Sequence, residues 1–258
     1  MPTVSVNEVK LYYEEHGTGP TLLLLHAGWG LPVNGFDAQV RAFPDCHLVI
    51  PHRRGYGRST PVSSLGPYFH RQAAADMLAL LDALKVERAA LWGHSDGAVI
   101  GAMMAIQYPD RVRALIFEGG HLYCRKPQTR RAFERVLASP ESLPEAIQEA
   151  LIAGHGVERW RQVLRNWAEA WLALGERDGD LYTGRLAEIR CPTLILHGAH
   201  DPHTAVAEIE ALATQIPDAE LHVFPAAGHS AHDDPATLEV CNGLVRRFLN
   251  TRAGFAFK

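Results

Sequence analysis

Ser95 stands in the stretch Ala90-Leu91-Trp92-Gly93-His94-Ser95-Asp96-Gly97-Ala98, a hydroxyl framed by glycines two residues away on each side. A serine hydroxyl is a weak nucleophile at its own pKa and attacks a carbonyl only when a base takes its proton. Downstream, Asp201 ends the apolar run "TLILHGAHD" and His229 closes "ELHVFPAAGH". In this order Asp201 would orient and stabilise the imidazole, and His229 would take the Ser95 proton and return it to the leaving group. The oxyanion would need backbone donors. The N–H of Asp96, directly after the nucleophile, is one; Gly28, in the loop His26-Ala27-Gly28-Trp29-Gly30, offers the other. Together these residues point to acyl transfer through a covalent acyl-enzyme. The simpler reading of Ser95 is a helix N-cap in a glycine-rich turn.

The side chain of Asp96 complicates this chemistry. A carboxylate several Å from an oxyanion opposes it by on the order of a few kcal/mol at an effective dielectric of about 20. Three roles would remove the conflict. Asp96 could bind a substrate cation, with Trp29 and His121 as further substrate-binding candidates. It could pair with a resident cation such as Arg125, Arg130, Arg131 or protonated His121. It could turn away and act structurally. His232 with Asp233 or Asp234 competes for the base and acid roles, and Glu118 is a rival acid. His94, inside the turn, suits packing or a supporting hydrogen bond. His197, His200, His203, His222 and His232 show no ligand spacing backed by a third partner, so neither a metal nor a cofactor is expected.

Elements must hold these residues together. The runs at 21–26, 47–52, 89–94, 113–120, 193–201 and 220–229 are short and nearly continuously apolar, as strands of a parallel sheet covered on both faces are. Helical patterns at 69–85, 98–111, 205–217 and 236–249 lie between them, and "TVSV" with "KLYYEEHG" suggests an antiparallel hairpin at one edge. Alternation of this kind predicts an α/β fold, a mostly parallel central sheet flanked by helices. Residues 121–186 break the rhythm, with helix-like segments at 128–138, 143–153 and 157–174 and no strand-like run. We read 1–120 and 187–258 as the core and 121–186 as a helical lid over the carboxyl ends of the strands, where such sheets bind ligands. Trp160, Trp167 and Trp171 share one face of the last lid helix, placed either to pack the lid or to line the pocket.

The 258 residues carry a formal charge of −4, with 47% hydrophobic and 21% charged residues. That is enough for one buried core and gives no electrostatic reason to expect nucleic acid or an anionic membrane as partner. The start lacks the basic and apolar regions of a signal peptide, and no apolar run is long enough to span a bilayer. Cys46, Cys124, Cys191 and Cys241 are widely spaced, which suits reduced, mostly buried thiols in a cytoplasmic protein. The expected partner is a small-molecule ester; the sequence leaves the oligomeric state open.

These motifs, with the loop Arg54-Gly55-Tyr56-Gly57-Arg58-Ser59, resemble those of the α/β-hydrolase superfamily over nearly the whole chain. Within it, "VNEVKLYYEEHGTG", "RGYGRS", "GHSDGA" and "CPTLILHGAHDP" are most similar to the valacyclovir hydrolase (biphenyl hydrolase-like) group. The resemblance implies a serine hydrolase with a helical lid and no cofactor. It also implies that Asp96 binds the α-amino group of amino-acid esters. The lid matches far less well, and the chain departs from common patterns at His52, where many relatives carry aspartate, and at Ala98, where a glycine is frequent. Lactones, amides and C–C bonds of diketone acids are alternative substrates for the same triad, and a slow-turnover receptor is an alternative use of the fold.

Overall fold

The structure, a computed structural model, describes residues 2–30, 35–177 and 179–257, with Pro127 and Gln128 described by backbone alone. Among these residues the strands are β1 (Thr3–Val6), β2 (Val9–His16), β3 (Thr21–Leu25), β4 (His47–Pro51), β5 (Ala89–His94), β6 (Val112–Glu118), β7 (Thr193–Gly198) and β8 (Ala219–Phe224). They form one sheet in the order β1-β2-β4-β3-β5-β6-β7-β8. The pairs β1/β2 and β2/β4 are antiparallel and all others are parallel. The β1–β2 turn places Asn7 and Glu8 at φ 42° and 68°, the left-handed conformation a two-residue hairpin needs.

The core helices are α1 (Asp37–Ala42), α2 (Phe69–Ala83) and α3 (Asp96–Gln107). Three helices then fill the segment between β6 and β7: α4 (Pro127–Ala138), α5 (Glu145–His155) and α6 (Trp160–Gly175). The chain ends with α7 (Val206–Ala213) and α8 (Leu238–Arg252). Successive strand side chains point to opposite faces, and this divides the interior in two. Leu23, Leu25, Leu91 and Leu115 pack with α2, α3 and α7. Leu22, Leu24, Trp92 and Ile116 pack with α8. Val136, Leu151, Trp160, Leu164 and Ala168 make a third cluster, with which α4, α5 and α6 pack together.

Five of the six apolar runs outlast their strands, β3 and β4 by a single residue and β6, β7 and β8 by more. Gly119-Gly120, Ala199 to Asp201 and Pro225 to His229 leave the sheet as loops. Their backbone and polar side chains are released at the carboxyl edge, where β5 also ends. Helix α1 has no counterpart in the sequence reading, since six residues give too little periodicity. The four cysteines are free and buried. Among the described residues no helix is long and apolar enough to cross a membrane.

Candidate active site

Strand β5 ends at His94 and α3 begins at Asp96, so Ser95 alone makes the turn, at φ 57° and ψ −118°. That conformation is costly for a residue with a side chain, about 1–3 kcal/mol, and needs surroundings that enforce it. The N–H of Ser95 donates to the Glu118 carbonyl at 2.8 Å. A Cβ on Gly93 would lie 2.1 Å from the Gly97 carbonyl oxygen, and one on Gly97 would lie 2.1 Å from that of Leu25. Both glycines are therefore required by close backbone approach. Although Ser95 occupies the N-cap position, its hydroxyl makes no capping hydrogen bond.

Ser95 and His229 line the same cavity, of about 200 Å³, with Gly28 beside them. The opposite wall is apolar and comes largely from the helices between β6 and β7: Phe133, Val136, Trp167 and Trp171, joined by Trp29. His229 Nδ1 donates to Asp201 Oδ2 at 2.8 Å. Asp201 Oδ1 accepts from the N–H groups of His203 and Thr204 at 2.7 and 3.2 Å. Burial opposes the charge on Asp201, but these donors and the His229 ring outweigh it and hold the carboxyl below its ordinary range. As the first residue of α3, Asp96 has an N–H with no acceptor inside the helix, beside Ser95.

The Gly28 loop is held from two sides. Arg53, buried, donates from Nη2 to the Ala27 carbonyl at 2.7 Å, and its own N–H donates to His26 Nε2 at 3.2 Å. His155, at the end of α5, donates from Nε2 to the Trp29 carbonyl at 2.9 Å and accepts at Nδ1 from the Gly57 N–H at 3.0 Å. One imidazole thereby joins the helical insertion to both glycine loops.

The Asp96 side chain does not line this cavity. It is buried, with Oδ1 accepting from His70 Nε2 at 3.1 Å and from Trp171 Nε1 at 3.2 Å, and Oδ2 accepting from Trp167 Nε1 at 3.0 Å. Burial opposes its ionisation, yet His70, Arg53 and the Trp167 N–H outweigh that and lower its pKa. The partner is His70 of α2, in place of the expected His121, Arg125, Arg130 or Arg131. Of the other substrate-binding candidates, Trp29 and His121 line the cavity. The three tryptophans divide: Trp167 and Trp171 line it, while Trp160 is buried in the cluster of the insertion.

The rival acid and base pair with each other. His232 donates from its backbone N–H and from Nδ1 to Glu118 Oε1 at 3.0 and 2.8 Å, and Trp92 Nε1 donates to Oε2 at 2.8 Å. Against burial, the His232 charge and hydrogen bond bring Glu118 down to about 2. His94 joins these two as the cluster nearest to a metal-binding geometry among the described residues. Its donor set is already engaged within the protein, His94 Nε2 with the His229 carbonyl at 3.0 Å and Glu118 with three N–H donors. His70, His155, Arg53, Lys126 and Thr204 were not foreseen, because no local motif marks them and their partners are distant in sequence.

The chain belongs to the α/β-hydrolase fold family, whose model matches residues 20–174 and 143–236. It is 28% identical to the mouse "Serine hydrolase BPHL" over 95% of this chain and 85% of that protein. It is 27% identical to "3-oxoadipate enol-lactonase 2" of Acinetobacter baylyi over 95% of this chain and 97% of that protein. Among solved structures it is similar to a thermophilic esterase from Thermogutta terrifontis, with a TM-score of 0.75 and 26% identity, covering 96% of both chains. These relatives are hydrolases of different kinds.

Proposed function

We propose that the chain is a serine hydrolase of small, uncharged carboxylic esters, lactones included. The observation that carries this reading is the 2.8 Å Asp201–His229 pair opening on the same cavity as Ser95 at its left-handed turn. Ser95 Oγ attacks the carbonyl carbon as His229 Nε2 takes its proton. The negative charge on the carbonyl oxygen falls between the N–H groups of Gly28 and Asp96. Collapse expels the alcohol, which leaves with the proton from His229. A water then loses a proton to His229 as it attacks the acyl-enzyme; collapse releases the acid, and His229 returns the proton to Ser95 Oγ. No step calls on a cofactor or metal.

The preference for uncharged esters follows from where the site's charges go. An ammonium group reaching Asp96 would have to displace an indole N–H or His70, so we place neutral esters ahead of amine-bearing ones. The aromatic wall favours an apolar substituent. The similarity to an esterase and to an enol-lactonase supports open-chain and cyclic esters as one substrate class.

Labelling with a fluorophosphonate and hydrolysis of p-nitrophenyl acetate test the reading. We expect a label on Ser95 and a burst followed by steady turnover, both lost in Ser95→Ala. An unlabelled Ser95 would overturn it; a burst without turnover would favour a slow receptor.

A further inference from the structure

We propose that His121 is a specificity-determining residue whose Nε2–H donates to an uncharged oxygen acceptor (keto, ether or hydroxyl) on the substrate, with Lys126 and Thr204 as the positioning residues that fix its tautomer. This rests on the hydrolase reading above and adds the substrate feature that the cavity would recognise.

Lys126 is buried at the cavity edge, and its ammonium has three protons to place. Three oxygen acceptors stand around it: Glu208 Oε1 at 3.0 Å, Thr204 Oγ1 at 2.8 Å and the His203 carbonyl at 3.1 Å. Thr204, accepting from Lys126, turns its own proton to His121 Nδ1, 2.7 Å away. Lys126 Nζ itself lies 3.0 Å from that nitrogen. With donors on that side, Nδ1 must be the acceptor, and the ring proton resides on Nε2.

Nε2 has no partner among the described residues, and His121 lines the cavity. The ring lies nearly parallel to that of His229, at 6.3 Å and 17°, with Trp171 edge-on at 5.4 Å. The Tyr182 hydroxyl donates to the His121 carbonyl at 2.8 Å and holds the backbone in place. Burial, then the Lys126 charge, keep the ring from taking a second proton, so it is a neutral donor. The Lys126 charge is met by Glu208, which removes the reason for an anionic partner. What remains is one fixed N–H on a cavity whose opposite wall is largely apolar, near the proposed catalytic base.

A buried donor left unpaired disfavours a substrate that lacks the matching oxygen, by about 10- to 100-fold in kcat/KM. The test compares p-nitrophenyl 4-oxopentanoate with the pentanoate and the 5-oxohexanoate with the hexanoate, each ratio divided by the ratio for hydroxide. We expect at least one oxo ester to be preferred about 10-fold or more by the wild type. That preference should vanish in His121→Phe, fall in Thr204→Val and return in part in His121→Gln, whose amide places an N–H near the Nε2 position. Ratios are read within each variant, so a general loss of activity cancels. Equal ratios in the wild type, or a preference that survives His121→Phe, would overturn the inference while labelling of Ser95 leaves the hydrolase reading standing. If neither ester turns over and Ser95 takes no label, the hydrolase reading falls and this inference with it.

Discussion

His70 Nε2 lies 3.1 Å from Asp96 Oδ1, with neither side chain open to solvent, and the Trp167 and Trp171 indoles complete the carboxylate's shell. Asp96 thus links α2, the β5–α3 turn and α6 through its side chain, while its N–H stays beside Ser95. A carboxylate so enclosed is a poor anchor for a substrate ammonium. We expect valine p-nitrophenyl ester to show no advantage over 3-methylbutanoate p-nitrophenyl ester once intrinsic reactivity is divided out. A tenfold or greater amine preference (about 1.4 kcal/mol) that Asp96→Asn abolishes would reverse this reading.

Glu118 and His232 form a buried ion pair behind the Ser95 turn, and removing one member of such a pair costs about 3 kcal/mol. The pH range in which Glu118→Gln shows this loss follows from the two shifts. Glu118 is lowered from 4.5 to about 2, so its contribution is present above 4.5 and disappears as pH falls toward 2. His232 is raised above 6.5: burial opposes its charge, but Glu118 outweighs burial, so its contribution is present below 6.5 and disappears as pH rises through the folded value. The gap in urea-unfolding stability between wild type and Glu118→Gln should be widest between those two limits. A gap that is flat with pH would mean that the pair is not ionised.

Three imidazoles crowd His229: His94 at 4.7 Å, His203 at 4.7 Å and His121 at 6.3 Å between ring centroids. Burial, then the His229 and His232 charges, bring His94 down to about 3; burial and the His229 charge lower His203; burial and Lys126 hold His121 well below its usual value. Those three rings should therefore stay neutral while the enzyme works. On the acid side of the pH profile, log kcat/KM should fall with decreasing pH at a limiting slope of one proton. A slope of two would show that a second ring titrates with the base.

Most of the sheet was legible because its interior strands are buried on both faces and therefore read as unbroken apolar runs. The residues of the proposed triad stood out because a strained turn demands glycines and because Asp201 and His229 follow their strands directly. The fate of the Asp96 carboxylate was not legible. It depends on His70, an ordinary helical position 26 residues upstream, and on the indole edges of α6 more than 70 residues downstream. Glu118 and His232 were each visible as chemical candidates, but 114 residues separate them and no pattern announced that they would meet. Local rules specify a turn or a strand; pairings set by the packing of the insertion onto the sheet lie beyond their reach.

Gly28 carries the sharpest test of the oxyanion site. A Cβ there would lie 2.2 Å from Trp167 Nε1 and 2.7 Å from Asp96 Oδ2, across the hydrogen bond that joins them. Gly28→Ala must therefore move the loop, α6 or the Asp96 side chain. Movement of the loop displaces the Gly28 N–H that should face the developing oxyanion, a group absent from the ground-state ester. We expect kcat for p-nitrophenyl acetate to fall about 10²- to 10³-fold with KM changed little. Gly66→Ala, where an added Cβ meets nothing within 4 Å, should keep both constants near wild type. If Gly28→Ala raises KM and leaves kcat intact, Gly28 shapes the cavity and the oxyanion donor must be sought elsewhere in the loop.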